Sequence, residues 1–161
     1  MPLKIGDPAP DVTLPSSTGE QVALRELWTR QPLVVLFFPL AFTSTCTKEV
    51  CTVGEDLAAY EGLGGQVVAV SVDSPFVLDR FRKETGAGYP FLSDFNRQAS
   101  QGFGVVRETA IGPGLLGASD RAVFVVDTDG RVAYVWHSTN PGLLPPFDEI
   151  KDALRNLKQA A

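Results

Sequence analysis

Two cysteines, Cys46 and Cys51, are the residues whose type and spacing most directly suggest chemistry in this sequence. They lie five positions apart and are the only cysteines of the chain. A close thiol pair of this kind is typical of a catalytic, redox-sensing or metal-binding site. Zinc needs four ligands, usually Cys or His, and the single histidine, His137, lies far away in sequence. The number of available ligands therefore disfavours a zinc site.

Cys46 follows a pattern that places a thiol at the start of a helix. An apolar run at 33–38 predicts a buried strand that ends before Pro39, and a helical pattern over 44–61 begins near Ser44. The N–H groups of a first helical turn lack partners within the helix, and the helix dipole adds partial positive charge there. Both effects stabilise a thiolate, which is the nucleophilic form of cysteine. The sequence therefore predicts a reactive thiol at Cys46.

The neighbours of Cys46 support this prediction but leave other interpretations open. Thr43 has a hydroxyl that can cap the helix, bond to the sulfur or hold a polar substrate. Pro39 has no N–H and can shield the site from water. Cys46 also shares its helical phase with Val50 and Val53. Because free cysteine is often a small core residue, that phase alone is equally typical of core packing.

Cys51 lies too far along the predicted helix to bond to Cys46 while the helix is intact. Five residues correspond to a rise of about 7.5 Å and a rotation of about 140°, so the two Cα atoms lie roughly 8 to 9 Å apart. A disulfide needs a Cα separation of about 4.4 to 6.8 Å. A bond between the two sulfurs therefore requires the first turns to unwind, and the other interpretation of Cys51 is a spare thiol.

The elements around the cysteines predict an α/β fold in which helices flank a central mixed β-sheet. Continuous apolar runs are typical of strands covered on both faces, and the Asp-Gly step at 129–130 predicts a hairpin. The segment 89–120 is poorly periodic, with a short helix near 97–102. Strands are predicted at 33–38, 66–72, 122–126 and 131–137, an N-terminal hairpin pairs 11–14 with 21–24, and the longer helices cover 44–61, 75–85 and 146–159. The inward faces of the last two helices are predicted to carry Val77, Leu78 and Phe81, and Phe147, Ile150, Leu154 and Leu157.

Composition sets the class of protein. The 161 residues are 44% hydrophobic and 20% charged, which predicts a single globular domain over 1–161. A net charge of −5 with scattered basic residues disfavours binding to nucleic acid or anionic lipid. The longest apolar run is far shorter than the roughly 20 residues that span a bilayer, and the N-terminus has no apolar signal segment. We therefore expect a cytoplasmic protein without a membrane partner.

The segment from Pro39 to Cys46 matches the P-x-x-x-(T/S)-x-x-C active-site pattern of the peroxiredoxins. The sequence resembles this family over nearly its whole length, including 6–14 and 120–127. Cys51 is similar to the resolving cysteine of the bacterioferritin-comigratory protein (peroxiredoxin Q) branch. Two further segments resemble the one-cysteine alkyl hydroperoxide reductase E branch. They are 37–43, with the sequence Phe-Phe-Pro-Leu-Ala-Phe-Thr, and 92–95, with the sequence Leu-Ser-Asp-Phe.

The resemblance implies a thioredoxin-like fold and a thiol peroxidase that needs no metal, flavin or haem. Its peroxidatic residue would be Cys46, which becomes a sulfenic acid, and Cys51 would resolve it as an intramolecular disulfide. Thioredoxin or a similar dithiol would then reduce that disulfide. Pro39, Thr43 and Arg121 match the family's other site positions. The Arg121 guanidinium is thereby implied to reach the sulfur and the peroxide oxygens.

Sequence position alone favours plainer roles for the charged residues. Arg121 precedes an apolar strand and is typical of a solvated strand-end charge, because charged residues are mostly exposed. Glu49 matches a glutamate common after the family motif, where it can orient an arginine. By position alone it is an ordinary helix-surface carboxylate.

Other functions stay open at this stage. A one-cysteine peroxidase would be resolved by an external thiol. A thiol-disulfide oxidoreductase is disfavoured, since such enzymes carry Cys-x-x-Cys and four residues separate the cysteines here. A redox-inert binding module would not consume peroxide. Typical two-cysteine members of the family carry a C-terminal cysteine, and this sequence has none after the last predicted helix. We therefore expect a monomer or small homodimer, not a ring of dimers built on intersubunit disulfides.

Overall fold

The computed structural model describes residues 1–160, which form a five-stranded mixed β-sheet, a separate two-stranded hairpin and six helices. The order of strands in the sheet is β5-β4-β3-β6-β7, and β1 pairs with β2. The strands are β1 (Thr13–Pro15), β2 (Gln21–Ala23), β3 (Leu33–Phe37), β4 (Gln66–Ser71), β5 (Phe91–Ser93), β6 (Arg121–Val126) and β7 (Val132–Ser138). The helices are α1 (Leu24–Trp28), α2 (Ser44–Glu55), α3 (Leu57–Gly62), α4 (Pro75–Thr85), α5 (Gln98–Gly102) and α6 (Phe147–Ala160).

Strand β3 lies at the centre of the sheet and is buried over its whole length. It pairs parallel with β4 and antiparallel with β6, and β4 pairs parallel with β5. The last strand, β7, runs antiparallel to β6. The carboxyl ends of β3, β4, β5 and β7 therefore meet the amino end of β6 at one edge of the sheet.

Each face of the sheet has its own apolar core. Helices α2, α3, α4 and α6 pack on one face, where Val34 and Leu36 of β3 point. Helices α1 and α5 and the N-terminal hairpin pack on the other face, where Val35 and Phe37 point. This two-sided cover explains why β3 is a continuous apolar run, since alternate residues must suit opposite cores.

The predicted mixed sheet, its flanking helices and the N-terminal hairpin are confirmed. The prediction of one helix over 44–61 is wrong, because Asp56 leaves the helical conformation (φ −111°, ψ 13°) between α2 and α3. Helix α1 and strand β5 were not predicted, since five and three residues are too few to show a period. Val77 was predicted to point inward but is 39% exposed.

Helix α6 packs as its apolar spacing predicts. Ile150 and Leu154 are fully buried, and Phe147 and Leu157 pack partly buried against the same core. The packing of Leu154 also depends on Gly65, because a Cβ added to this glycine would lie 2.6 Å from Leu154 Cδ1. The absence of a side chain at this glycine therefore lets α6 approach the start of β4.

We predict that Leu154→Ala lowers the free energy of unfolding by about 2 to 5 kcal/mol, because it removes buried methyl groups and leaves a cavity. Chemical denaturation monitored by circular dichroism measures the change. Leu143→Ala is the matched control, since Leu143 is 51% exposed and its truncation should cost less than about 0.5 kcal/mol. Equal losses in the two variants would contradict this account of the core.

Candidate active site

The site lies at the sheet edge where β3 ends, α2 begins and β6 begins. In the antiparallel pairing of β3 with β6, Phe37 lies opposite Ala122. One position further toward this edge, Arg121 therefore lies beside Phe38, just before the connection to α2. This register joins two segments that are far apart in sequence.

The connection from β3 to α2 is held in a defined shape. Phe42 adopts a left-handed conformation (φ 66°), which costs an ordinary residue about 1 kcal/mol or more. Its ring packs against Phe81 at a centroid distance of 5.0 Å. The N–H of Ala41 donates to Asp73 Oδ2 at 2.8 Å, which ties the connection to the end of β4. These contacts offset the backbone strain and fix where α2 starts.

Cys46 is the third residue of α2 and is 1% exposed. Arg121 is equally buried, and its Nη2 atom donates to the Cys46 sulfur at 3.1 Å. The same Nη2 donates to the carbonyl oxygen of Pro141 at 2.8 Å, and Nη1 donates to the carboxylate of Glu49. The guanidinium thus bridges the sulfur, a carboxylate and a loop carbonyl. The interpretations of Arg121 and Glu49 as solvated charges, drawn from position alone, are wrong.

Burial dominates the electrostatics of the charged pair. It raises the pKa of Glu49 to about 7, and the neighbouring Arg121 opposes that rise. Glu49 Oε1 and Arg121 Nε have no hydrogen-bond partner. Burial also acts to lower the pKa of Arg121, but the charges of Glu49 and Cys46 outweigh it and raise that pKa above its ordinary value. Arg121 therefore stays a cation beside the sulfur, whereas Glu49 titrates near neutral pH.

A pocket of about 290 Å³ opens onto the sulfur. Thr43 lies at its rim, where it holds the N-cap position of α2 but makes no side-chain cap. Its hydroxyl donates to the carbonyl of Leu40 at 2.8 Å. The pocket can admit a small polar molecule beside the sulfur and the guanidinium. Its lining comprises Pro39, Thr43, Ser44, Thr45, Cys46, Ile111, Arg121, Pro141 and Gly142.

Cys51 lies outside this pocket, on the same unbroken helix as Cys46. It is partly buried, and both thiols are free. His137 lies on β7, where its Nε2 atom is 2.7 Å from Asp120 Oδ2, and it does not line the pocket. Within residues 1–160 no cluster of three or more His, Cys, Asp or Glu could hold a metal ion.

The sequence did not indicate three pocket residues, Ile111, Pro141 and Gly142. They lie in the loops that precede β6 and follow β7, and both loops reach the site because β6 and β7 are antiparallel. No local motif marks these positions, so only the pairing of strands could have revealed them.

The sequence is similar to those of several known proteins. A model of the AhpC/TSA family matches residues 5–135. Peroxiredoxin Bcp of Escherichia coli K12 is 33% identical over 135 residues, which cover 84% of this chain and 86% of that protein. Alkyl hydroperoxide reductase E of Mycobacterium bovis is 33% identical over 134 residues, which cover 82% of this chain and 84% of that protein.

Solved structures of related proteins have the same fold. Peroxidoxin BcpB from Mycobacterium tuberculosis superposes with a TM-score of 0.84 at 30% identity, covering 96% of this chain and 98% of that one. Peroxiredoxin Q of Xanthomonas campestris gives a TM-score of 0.75 at 25% identity, covering 92% of this chain and 90% of that one. The predicted thioredoxin-like fold is therefore confirmed.

None of the described helices is both long enough and apolar enough to cross a membrane. The family match over most of the chain, together with one-third identity to Peroxiredoxin Bcp, shows that this chain belongs to the AhpC/TSA family of peroxiredoxins.

Proposed function

We propose that the chain reduces hydrogen peroxide and organic hydroperoxides with Cys46 as nucleophile and Cys51 as resolving thiol. Family membership by itself implies a thiol-dependent peroxidase, and the proposal adds the route through these two cysteines. The observation that carries it is the 3.1 Å contact between Arg121 Nη2 and the Cys46 sulfur, in a pocket open to a small molecule.

In the first step the Cys46 thiolate attacks the terminal oxygen of the peroxide. A sulfur–oxygen bond forms, the oxygen–oxygen bond breaks, and the departing oxygen takes a proton to leave as water or an alcohol. The product on the protein is a sulfenic acid. Arg121 supports this step because a fixed cation near both sulfur and peroxide stabilises the thiolate and the charge on the departing oxygen.

The surrounding residues assist in different ways. Glu49 orients the guanidinium through its carboxylate. Pro39 is buried at the pocket and offers no N–H, which limits the access of water to the sulfur. Thr43 lies at the rim, where its hydroxyl oxygen can accept a hydrogen bond from a hydroperoxide while the hydroxyl donates to Leu40.

In the second step the Cys51 thiol attacks the sulfenic acid, a disulfide forms and water leaves. The intact α2 helix holds the two Cα atoms about 8 to 9 Å apart, so its first turns must unwind. An external dithiol, thioredoxin or a relative, then reduces the disulfide and becomes oxidised itself. Because that exchange needs a reducing compartment, we propose the cytoplasm as its location.

We expect Cys46→Ser to abolish peroxide consumption, since a serine hydroxyl is not ionised at neutral pH and cannot form a sulfenic acid. Stopped-flow measurement of peroxide loss compares this variant with the wild type. Cys51→Ser is the matched control, because it makes the same change on the same helix and should leave the first turnover intact. Activity that survived in Cys46→Ser would exclude Cys46 as the nucleophile.

We expect one equivalent of peroxide to yield an intramolecular disulfide in the wild type and a lasting sulfenic acid in Cys51→Ser. Mass spectrometry separates the two, because the disulfide lacks the added oxygen that the sulfenic acid retains. A sulfenic acid that persists in both proteins would instead identify a one-cysteine peroxidase resolved by an external thiol.

We expect Arg121→Lys to lower the second-order rate constant for peroxide by about 10²- to 10³-fold, the loss typical of removing one preorganised donor. Lysine keeps the charge but cannot bridge sulfur, carboxylate and carbonyl together. Arg107→Lys is the matched control, since Arg107 pairs with Asp120 in a largely buried site and does not contact the sulfur. Equal losses in both variants would contradict a specific role for Arg121.

The pKa of Glu49 leads to a pH dependence of stability. Its pKa is raised from 4.5 to about 7 on folding, so the folded chain binds a proton that the unfolded chain lacks between those values. The free energy of unfolding therefore gains a contribution as pH falls from above 7 to below 4.5, on the order of 3 kcal/mol in total. Glu49→Gln cannot titrate and should lack this contribution. Denaturation of both proteins across that range measures it, and a constant difference between them would refute the assignment.

A further inference from the structure

Tyr89 reaches across from the segment before β5 to the turn of α2 that carries Cys51. It is 2% exposed, and its hydroxyl donates to the carbonyl oxygen of Val50 at 2.8 Å. The ring lies over the same turn, because a Cβ added to Gly54 would be 3.8 Å from Tyr89 Cε1. One side chain therefore fixes the helix backbone immediately before Cys51.

Tyr89 is itself held in place from other elements. Its carbonyl accepts a hydrogen bond from Arg82 Nε of α4 at 3.3 Å, and its ring packs against Phe91 at 5.4 Å. Burial, followed by the charges of Glu49 and Cys51, raises the pKa of its phenol far above the usual range. The hydroxyl thus keeps its proton and remains a donor.

The direction of the hydrogen bonds in α2 makes this contact important for the resolving step, in which Cys51 attacks the sulfenic acid of Cys46. In an α-helix each N–H bonds to the carbonyl four residues earlier. Bringing Cys46 to Cys51 must break the bonds that the N–H groups of 47–51 donate toward the start of the helix. The Val50 carbonyl points the other way, toward Gly54 and Tyr89, and need not be released.

We propose that Tyr89 is a positioning residue for the resolving step. Its hydroxyl holds the rest of α2 at Val50 and thereby keeps Cys51 in place while the first turns of the helix unwind. This inference rests on the function proposed above. With the helix intact, buried Cys46 and Val53 support α2 on both sides of Val50. After unwinding, the support from Cys46 is lost, so the Tyr89 contact matters more in the second step than in the first.

The test is Tyr89→Phe, which keeps the ring and removes only the donor. Wild type and variant receive one equivalent of peroxide, and rapid-quench mass spectrometry follows the sulfenic acid and the disulfide. We expect the peroxide step to stay within about twofold of wild type. Disulfide formation should slow by about fivefold, the equilibrium factor that one neutral hydrogen bond contributes. At excess peroxide the variant should also accumulate more sulfinic acid, because its sulfenic acid lives longer.

Tyr60→Phe is the matched control. Tyr60 is equally buried in the same core but belongs to α3, so this change should leave both steps at wild-type rates. Disulfide formation at the wild-type rate in Tyr89→Phe would overturn the inference, as would equal slowing of both steps, which indicates a general loss of structure. If the wild type itself forms no Cys46–Cys51 disulfide, the proposed function fails as well, and that result is visible without any variant.

Hydrogen exchange of the oxidised proteins provides a second measurement. The amides of 52–55 should exchange faster in Tyr89→Phe than in wild type once the disulfide has formed, and at similar rates in the reduced proteins. Faster exchange in the reduced variant alone would contradict the inference, because Tyr89 would then support only the intact helix.

Discussion

The buried guanidinium of Arg121 is the interaction on which the site depends. A cation removed from water costs several kcal/mol unless it is paired and hydrogen-bonded. Here it meets the Glu49 carboxylate, the Cys46 sulfur and the Pro141 carbonyl. Each of these partners therefore has to be in place for the charge to be tolerated. The same requirement holds the sulfur beside a permanent cation, which is the condition that the proposed nucleophilic role of Cys46 needs.

The fold supplies these partners from elements that are rigid for other reasons. Strands β3 and β6 are buried on both faces, so their register is strongly specified by the two apolar cores. That register sets the position of Arg121 relative to the end of β3. Asp73 and Phe81 then fix the connection that leads to α2. Core packing and the geometry of the site are therefore consequences of the same strand pairing.

Much of this arrangement could be predicted from the sequence, because the signals are local. The apolar run at 33–38, Pro39 and the helical spacing after Ser44 predict strand, connection and helix with Cys46 in the first turn. The burial of Glu49 could not be predicted from its position, since a carboxylate on a helix is normally exposed. Its partner lies 72 residues away, and only long-range strand pairing brings the two together. The short elements α1 and β5 were missed because tertiary contacts, not local periodicity, stabilise them.

The distance along the chain between Cys46 and its partners has a consequence for synthesis. Arg121 follows Cys46 by 75 residues, and Pro141 follows Arg121 by a further 20. At translation speeds of about 5 to 20 residues per second, the thiol is made roughly 4 to 15 s before the cation that lies beside it. A nascent chain therefore carries a cysteine without its stabilising charge until β6 has been synthesised and has paired with β3. In the mechanism proposed here, Cys46 of a nascent chain therefore reacts only slowly with peroxide until that pairing has formed.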